Sequence, residues 1–113
     1  MSLRAEFLRE QLRVVVSGPL MRGTVVARRR KCGKPTCVCA SKKSAWHRGR
    51  YLSVNLAGRT RTVHLREEDV AAVEAAVERY REAWRLIDAL TEVEVGSLRR
   101  AAAERRRSRD ARR

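Results

Sequence analysis

Between residues 50 and 90 the spacing of apolar residues changes once, and that change restricts the fold more than any other feature of the chain. In "RYLSVNLAGRTRTVHL", residues 50–65, Leu52, Val54 and Leu56 alternate with Tyr51, Ser53 and Asn55, the period of a half-buried strand. Ala57-Gly58 reads as the turn of a hairpin. A two-residue loop there pairs Leu56 with Arg59, Val54 with Arg61 and Leu52 with Val63, and sets Tyr51 opposite His64. Alanine is a poor first residue for the tightest turn, which leaves a longer loop as the alternative. From Glu67 the period becomes helical: Val70, Val73, Val77, Tyr80, Trp84, Ile87 and then Leu90 or Thr91 step by three and four. Three carboxylates, Glu67, Glu68 and Asp69, precede them and suit the positive end of a helix dipole. This seam fits a helix lying on a sheet, a helical hairpin or a coiled coil.

The remaining elements follow from local signals. Ser2 can cap a first helix whose Leu3, Phe7, Leu8 and Leu12 share a face, and Gly18-Pro19 ends it. Thr24 to about Arg30 reads as a strand with a β-branched start and a basic end that cannot enter a core. The expected fold is α+β: a small antiparallel sheet with a zinc-knuckle-like loop, flanked by a short N-terminal helix and a long C-terminal one. At 113 residues this is one domain, over about 1–100, with the β and metal-loop part at 22–66 and the long helix at 67–95. Gly96-Ser97 weakens the helix, and the basic tail 101–113 is expected to be flexible.

Between the two strand regions lies "KCGKPTCVCASKKSAWH", residues 31–47, holding all three cysteines and one of the two histidines. Cys32, Cys37, Cys39 and His47 offer three thiolates and an imidazole, the donor set of a structural zinc site. Gly33 and Pro35 give the tight loop such a knuckle needs, and Lys31, Lys34, Lys42 and Lys43 favour the thiolate form. Free thiols, and redox or iron–sulfur chemistry, are the competing readings. The last is disfavoured because three cysteines fall short of four thiolates. Zn2+ in a structural role is therefore the expected cofactor. No carboxylate occurs between Glu10 and Glu67, so the segment lacks a general base apart from its histidines, and an enzyme is not expected. His64 is a weaker ligand candidate, better placed as a surface histidine near Tyr51.

The stretch "MRGTVVARRRKCGKPTCVCA", the histidine four residues before "YLSVNLAGRTRTVHL", and the long helix after it resemble a family of small, uncharacterised prokaryotic proteins. Its pattern is R-G-[ST]-[LV], then C-G-K-P-x-C-x-C, then a histidine before an aromatic strand and a hairpin with G-[KR]-T. The resemblance covers about residues 18–95. It implies a domain of unknown function often found near mobile elements, hence a DNA-related accessory role, with Cys32, Cys37, Cys39 and His47 as shared metal ligands. This chain has Arg48-Gly49 where the family tends to have Gly-Pro, and Ala57-Gly58 where Asp-Gly is common.

Charge supplies the functional expectation. Twenty-seven Lys and Arg against 13 Asp and Glu give a formal net charge of +14, and a polyanion is the natural partner. Candidate nucleic-acid contacts are Arg28, Arg29, Arg30, Lys31, Lys34, Lys42, Lys43, Arg48, Arg50, Arg59 and Arg61, with Arg59 and Arg61 on one hairpin face. Trp46 and Tyr51 could stack on bases, although packing is the better reading for Trp46. DNA is favoured over RNA. The alternative is an assembly subunit whose seam, Val70 to Leu90, docks on a partner helix or on itself as a homodimer. No window has the ~20 apolar residues that span a bilayer, and the N-terminal stretch does not read as a signal peptide. With an odd cysteine count, a cytoplasmic protein without a membrane partner is expected, and nucleoid association is compatible with it.

Overall fold

The computed structural model describes residues 2–112 and places each regular element where a local signal begins it. The order is α1 (Leu3–Val16), β1 (Thr24–Arg30), β2 (His47–Leu56), β3 (Arg59–Leu65) and α2 (Glu67–Ala111), with two short 3-10 turns, Val38–Ala40 and Lys43–Ala45, between β1 and β2. The strands form one antiparallel sheet in the order β1-β2-β3. This is the α+β architecture that the sequence predicts. The described residues gather into two compact units, Leu20–Glu78, and residues 2–19 with 79–112; α2 contributes to both.

In the unit Leu20–Glu78, the hairpin has the tight register. Leu56 pairs with Arg59, Val54 with Arg61, Leu52 with Val63 and Tyr51 with His64. The turn is the two-residue one: Ala57 (φ 53°) and Gly58 (φ 76°) are both left-handed, as a turn matching the strand twist requires. The longer loop considered for an alanine at this position does not form. β1 runs antiparallel to β2, Thr24 opposite Ser53 through Arg30 opposite His47. Gly23, just before β1, lies so close to β2 that a Cβ there would stand 2.8 Å from the Ser53 carbonyl oxygen.

One sheet face packs on the start of α2. Leu52 and Leu65 from the strands meet Val70, Val73 and Val77 from the helix, with Met21, Val25 and Val54 around them. Burying each such side chain contributes about 1.5–3 kcal/mol. The Met21 backbone N–H donates to the Ala76 carbonyl at 3.1 Å, and Arg50 on β2 pairs with Glu74 on α2 at 3.2 Å. The helix here lies on a sheet, one of the three arrangements the seam allowed.

In the other unit, Ser2 caps α1 by accepting from the Ala5 N–H, and Ala5 and Leu8 are buried. α1 runs antiparallel to α2: Arg9 pairs with Glu94 at 3.0 Å, while Arg79 donates to the Pro19 carbonyl at 3.1 Å. The residues α2 buries here are Ala83 and Leu86. Only part of the expected seam is buried within the chain. Val70, Val73 and Val77 are buried and Tyr80 and Leu90 half-buried, but Trp84 and Ile87 are exposed. Burial in this unit runs through Ala83 and Leu86, each one position before Trp84 and Ile87.

α2 also passes the expected stop near 95. Gly96 and Ser97 are helical, and the basic stretch expected as a flexible tail is helix to Ala111. Ala101, Ala102, Ala103 and the arginines that follow are strong helix formers, and a single glycine costs only about 1 kcal/mol against them. Among the described residues, no helix is long and apolar enough to cross a membrane.

Candidate metal centre and its basic surroundings

The four predicted ligands converge. Cys32 and Cys37 bracket a turn in which Gly33 takes φ +86° and the Cys37 N–H donates to the Lys34 carbonyl at 3.1 Å. The turn Val38–Ala40 then carries Cys39 back under Cys32, and Lys43–Ala45 delivers His47 at the start of β2. Arg29 on β1 secures that return: its guanidinium donates to the Lys43 and Ser44 carbonyls at 3.1 and 2.9 Å.

The resulting geometry suits one ion. Cys32 Sγ lies 3.5 Å from Cys39 Sγ, and Cys37 Sγ lies 3.3 Å from His47 Nε2. All four donor atoms fall within 4.8 Å of one another. A tetrahedron with metal–sulfur bonds of about 2.3 Å has edges of about 3.8 Å, so the cluster can close on a metal with small shifts. The Cys32 backbone N–H points at Cys39 Sγ (3.4 Å), the amide-to-thiolate contact expected of a knuckle. Cys39 is fully buried, Cys37 half-buried, and Cys32 and His47 exposed.

The thiols are electrostatically unequal. The backbone N–H of Cys39 does most to pull the Cys37 thiol down to about 6, helped by His47 and by the Cys39 and Cys32 thiols, against a weaker effect of burial. For Cys39 the Cys32 N–H acts downward, but burial and the neighbouring Cys37 and Cys32 thiols outweigh it, and the net direction is up.

The basic residues divide between the two faces of the sheet. Alternation from the register places Arg28 and Arg30 on the open face with Tyr51 and His64, and Arg29, Arg48, Arg50, Arg59 and Arg61 on the face that carries Leu52. Arg59 and Arg61 do share a hairpin face, as expected. Three of the predicted nucleic-acid contacts also have local structural tasks. Arg29 holds the metal loop, Arg50 is paired with Glu74, and Arg30 sits 5.3 Å over the Tyr51 ring. Lys31 and Lys43 flank the half-buried Trp46 ring at 6.0 and 5.5 Å. Lys34, Lys42 and Arg48 stand exposed on the loop and the start of β2.

Sequence reasoning missed two features here. One is Gly49, where a Cβ would meet His64 Nε2 and Tyr51 Cε2 at 3.2 Å and so disturb a ring pair with centroids 5.0 Å apart. The other is the structural use of Arg29, which nothing in a run of three arginines distinguishes. The charge itself is sharply placed. Residues 11–66 hold 14 of the 27 basic residues and no acidic one, so this segment alone equals the formal net charge of the whole chain, +14.

A family model described as a domain of unknown function (DUF6788) matches residues 4–75, which take in α1, the metal loop, the whole sheet and the first turns of α2. Neither the curated proteins nor the solved structures return a match. Because the family model spans more than half of the chain, this protein belongs to the DUF6788 family.

Proposed function

We propose that the chain is a non-enzymatic, zinc-stabilised nucleic-acid-binding module, with DNA as its first target. The observation that carries this reading is the coincidence of the Cys3His cluster with the acid-free segment 11–66. Three thiolates and one imidazole form a soft donor set that suits zinc, and four protein ligands leave no open position for a substrate. No carboxylate in the segment could serve as a general base beside the cluster. The site therefore fits a staple: it holds the loop of Lys31, Lys34, Lys42 and Lys43 against a small sheet whose Arg28, Arg59 and Arg61 carry no ion pair among the described residues. Neutralising phosphates with these side chains releases counterions, the main source of affinity for a polyanion. An accessory role close to mobile DNA, which the family resemblance implies, is compatible with such a module.

The test combines metal analysis with binding. The purified full chain should carry one zinc. Its affinity for a labelled DNA duplex should fall by on the order of 10^3 between 50 and 200 mM salt if about six phosphates are contacted. Binding that is flat over this range would reject the nucleic-acid reading, and a folded protein with no zinc would reject the staple.

A further inference from the structure

The apolar stripe of α2 outlasts its burial. From Val77 it continues as Tyr80, Trp84, Ile87, Thr91, Val95 and Leu98 on one side of the helix. Trp84 is 49% exposed, Ile87 38%, Val95 38% and Leu98 70%. Single exposed apolar side chains are ordinary, but four in line make a contiguous patch, which marks an interface. Its polar member is ready for burial, because Thr91 Oγ1 already donates to the Ile87 carbonyl at 2.9 Å. Tyr80 and Trp84 meet edge to face with centroids 6.3 Å apart, an aromatic pair of the kind that anchors interfaces.

We propose that this stripe docks on the same stripe of a second copy of the chain, with the two α2 helices antiparallel about a two-fold axis near Leu86 and Ile87. The neighbouring charges select both occupant and direction. Arg81, Arg85, Asp88 and Glu92 border one edge of the stripe, basic residues first and acidic ones after. An antiparallel pair brings the same edges together, so Arg81 and Arg85 of one copy face Glu92 and Asp88 of the other. A parallel pair would set this edge against the opposite one, where Glu94 would repel Asp88 and Glu92 rather than pair with them. Arg81 and Arg85 both have contacts within their own chain, Arg85 with Glu82; both side chains are exposed, and such surface contacts rearrange at little cost.

Balance of charge argues against nucleic acid as the occupant. Residues 2–19 and 79–98 hold six basic and six acidic side chains, so this stretch carries no net charge, unlike the arginine-rich part of α2 that follows it. Pairing places two basic segments on one particle and makes any phosphate binding bivalent.

Sedimentation equilibrium of the full chain, from about 1 to about 100 µM, tests the proposal. The mass should rise with concentration from 12.9 kDa toward twice that value. Trp84→Glu or Ile87→Glu should hold it at 12.9 kDa with unchanged helix content by circular dichroism, since both side chains are exposed in the single chain. Reversing Arg81 and Arg85 to Glu should weaken pairing roughly tenfold, and adding Asp88→Arg and Glu92→Arg should restore it. Phe7→Glu, on the exposed side of α1, should leave pairing intact. A mass fixed at 12.9 kDa throughout would overturn the proposal. So would pairing that survives Trp84→Glu and Ile87→Glu, pairing lost in Phe7→Glu, or a fourfold reversal that does not restore it.

Discussion

Cys37 Sγ and His47 Nε2 stand 3.3 Å apart although ten residues separate them along the chain. Two short 3-10 turns and the Arg29 clamp fold the intervening lysine-rich loop back on itself, without any acidic residue to offset its charge. Such a loop repels itself; a metal held by Cys32, Cys37, Cys39 and His47 would tie it together and keep three thiolates ionised, and their charge would offset part of the excess.

Loss of the metal should therefore be felt first between residues 31 and 47. Chelation, Cys37→Ser or His47→Ala should remove amide-exchange protection from this loop while α1 and the far part of α2 keep theirs. Exchange mass spectrometry reads the difference directly, and uniform loss across the chain would show that the metal holds more than the loop.

In metal-free protein the thiols should titrate in a set order. The Cys37 pKa is lowered from its ordinary value of 9.0 to about 6, so the folded state favours its thiolate. The resulting stabilisation is complete above pH 9, diminishes as pH falls, and is gone below about pH 6. Cys39 has the opposite sign: its raised pKa favours the thiol, a contribution present below pH 9 and lost as pH rises through the raised value. Timed alkylation of the metal-free protein at neutral pH should label Cys37 before Cys39, which is also buried.

The hairpin turn holds a correctable strain. Ala57 sits at φ 53°, where a Cβ is unfavourable by about 1–2 kcal/mol. Ala57→Asn or Ala57→Gly should raise stability by up to about 1 kcal/mol, and Gly58→Ala should lower it by a similar amount. Urea midpoints with unchanged slope provide the check.

Close packing makes Gly23 hard to replace. A Cβ at Gly23 would stand 2.8 Å from the Ser53 backbone oxygen, which cannot swing aside, so Gly23→Ala should cost about 1–3 kcal/mol. Leu52→Ala, which empties the centre of the core cluster, should cost about 2–5 kcal/mol. The first separates β1 from β2 and the second loosens the sheet from α2, a difference that amide exchange resolves.

Two arginine pairs test which sheet face meets phosphate. Arg28 and Arg30 stand on the open face with Tyr51, while Arg59 and Arg61 stand on the other face at the hairpin end. Alanine at the engaged pair should flatten the dependence of log affinity on log salt by roughly 0.9 per lost contact. The unengaged pair should leave that slope unchanged.

Much of this architecture is legible from residue order because it rests on local rules. The 52-54-56 alternation and the Ala57-Gly58 turn suffice for the hairpin register, and Ser2 and Glu67 mark the starts of both helices. The cysteine spacing points to convergence because the tight turn at Gly33 leaves the loop little choice. What could not be read is tertiary. A heptad count assumes that one side of a helix stays buried, but α2 meets a sheet along one part of its length and another helix along the next. Beyond Val77, burial within the chain therefore runs through Ala83 and Leu86 and leaves Trp84 and Ile87 on the open side. Likewise, no pattern in Arg28-Arg29-Arg30 reveals that the middle one is committed to two carbonyls.

The placement of the two tryptophans makes the protein its own spectrometer. Trp46 sits half-buried in the cysteine loop with two ammonium groups within 6.0 Å of its ring, and Trp84 stands on the exposed stripe of α2. With Trp84→Phe the remaining emission reports on the loop and tests whether a metal binds there. With Trp46→Phe it reports on the exposed stripe and tests the proposed pairing. Each question can thus be asked without attaching a dye, and a change in one variant with silence in the other tells which part of the molecule responds.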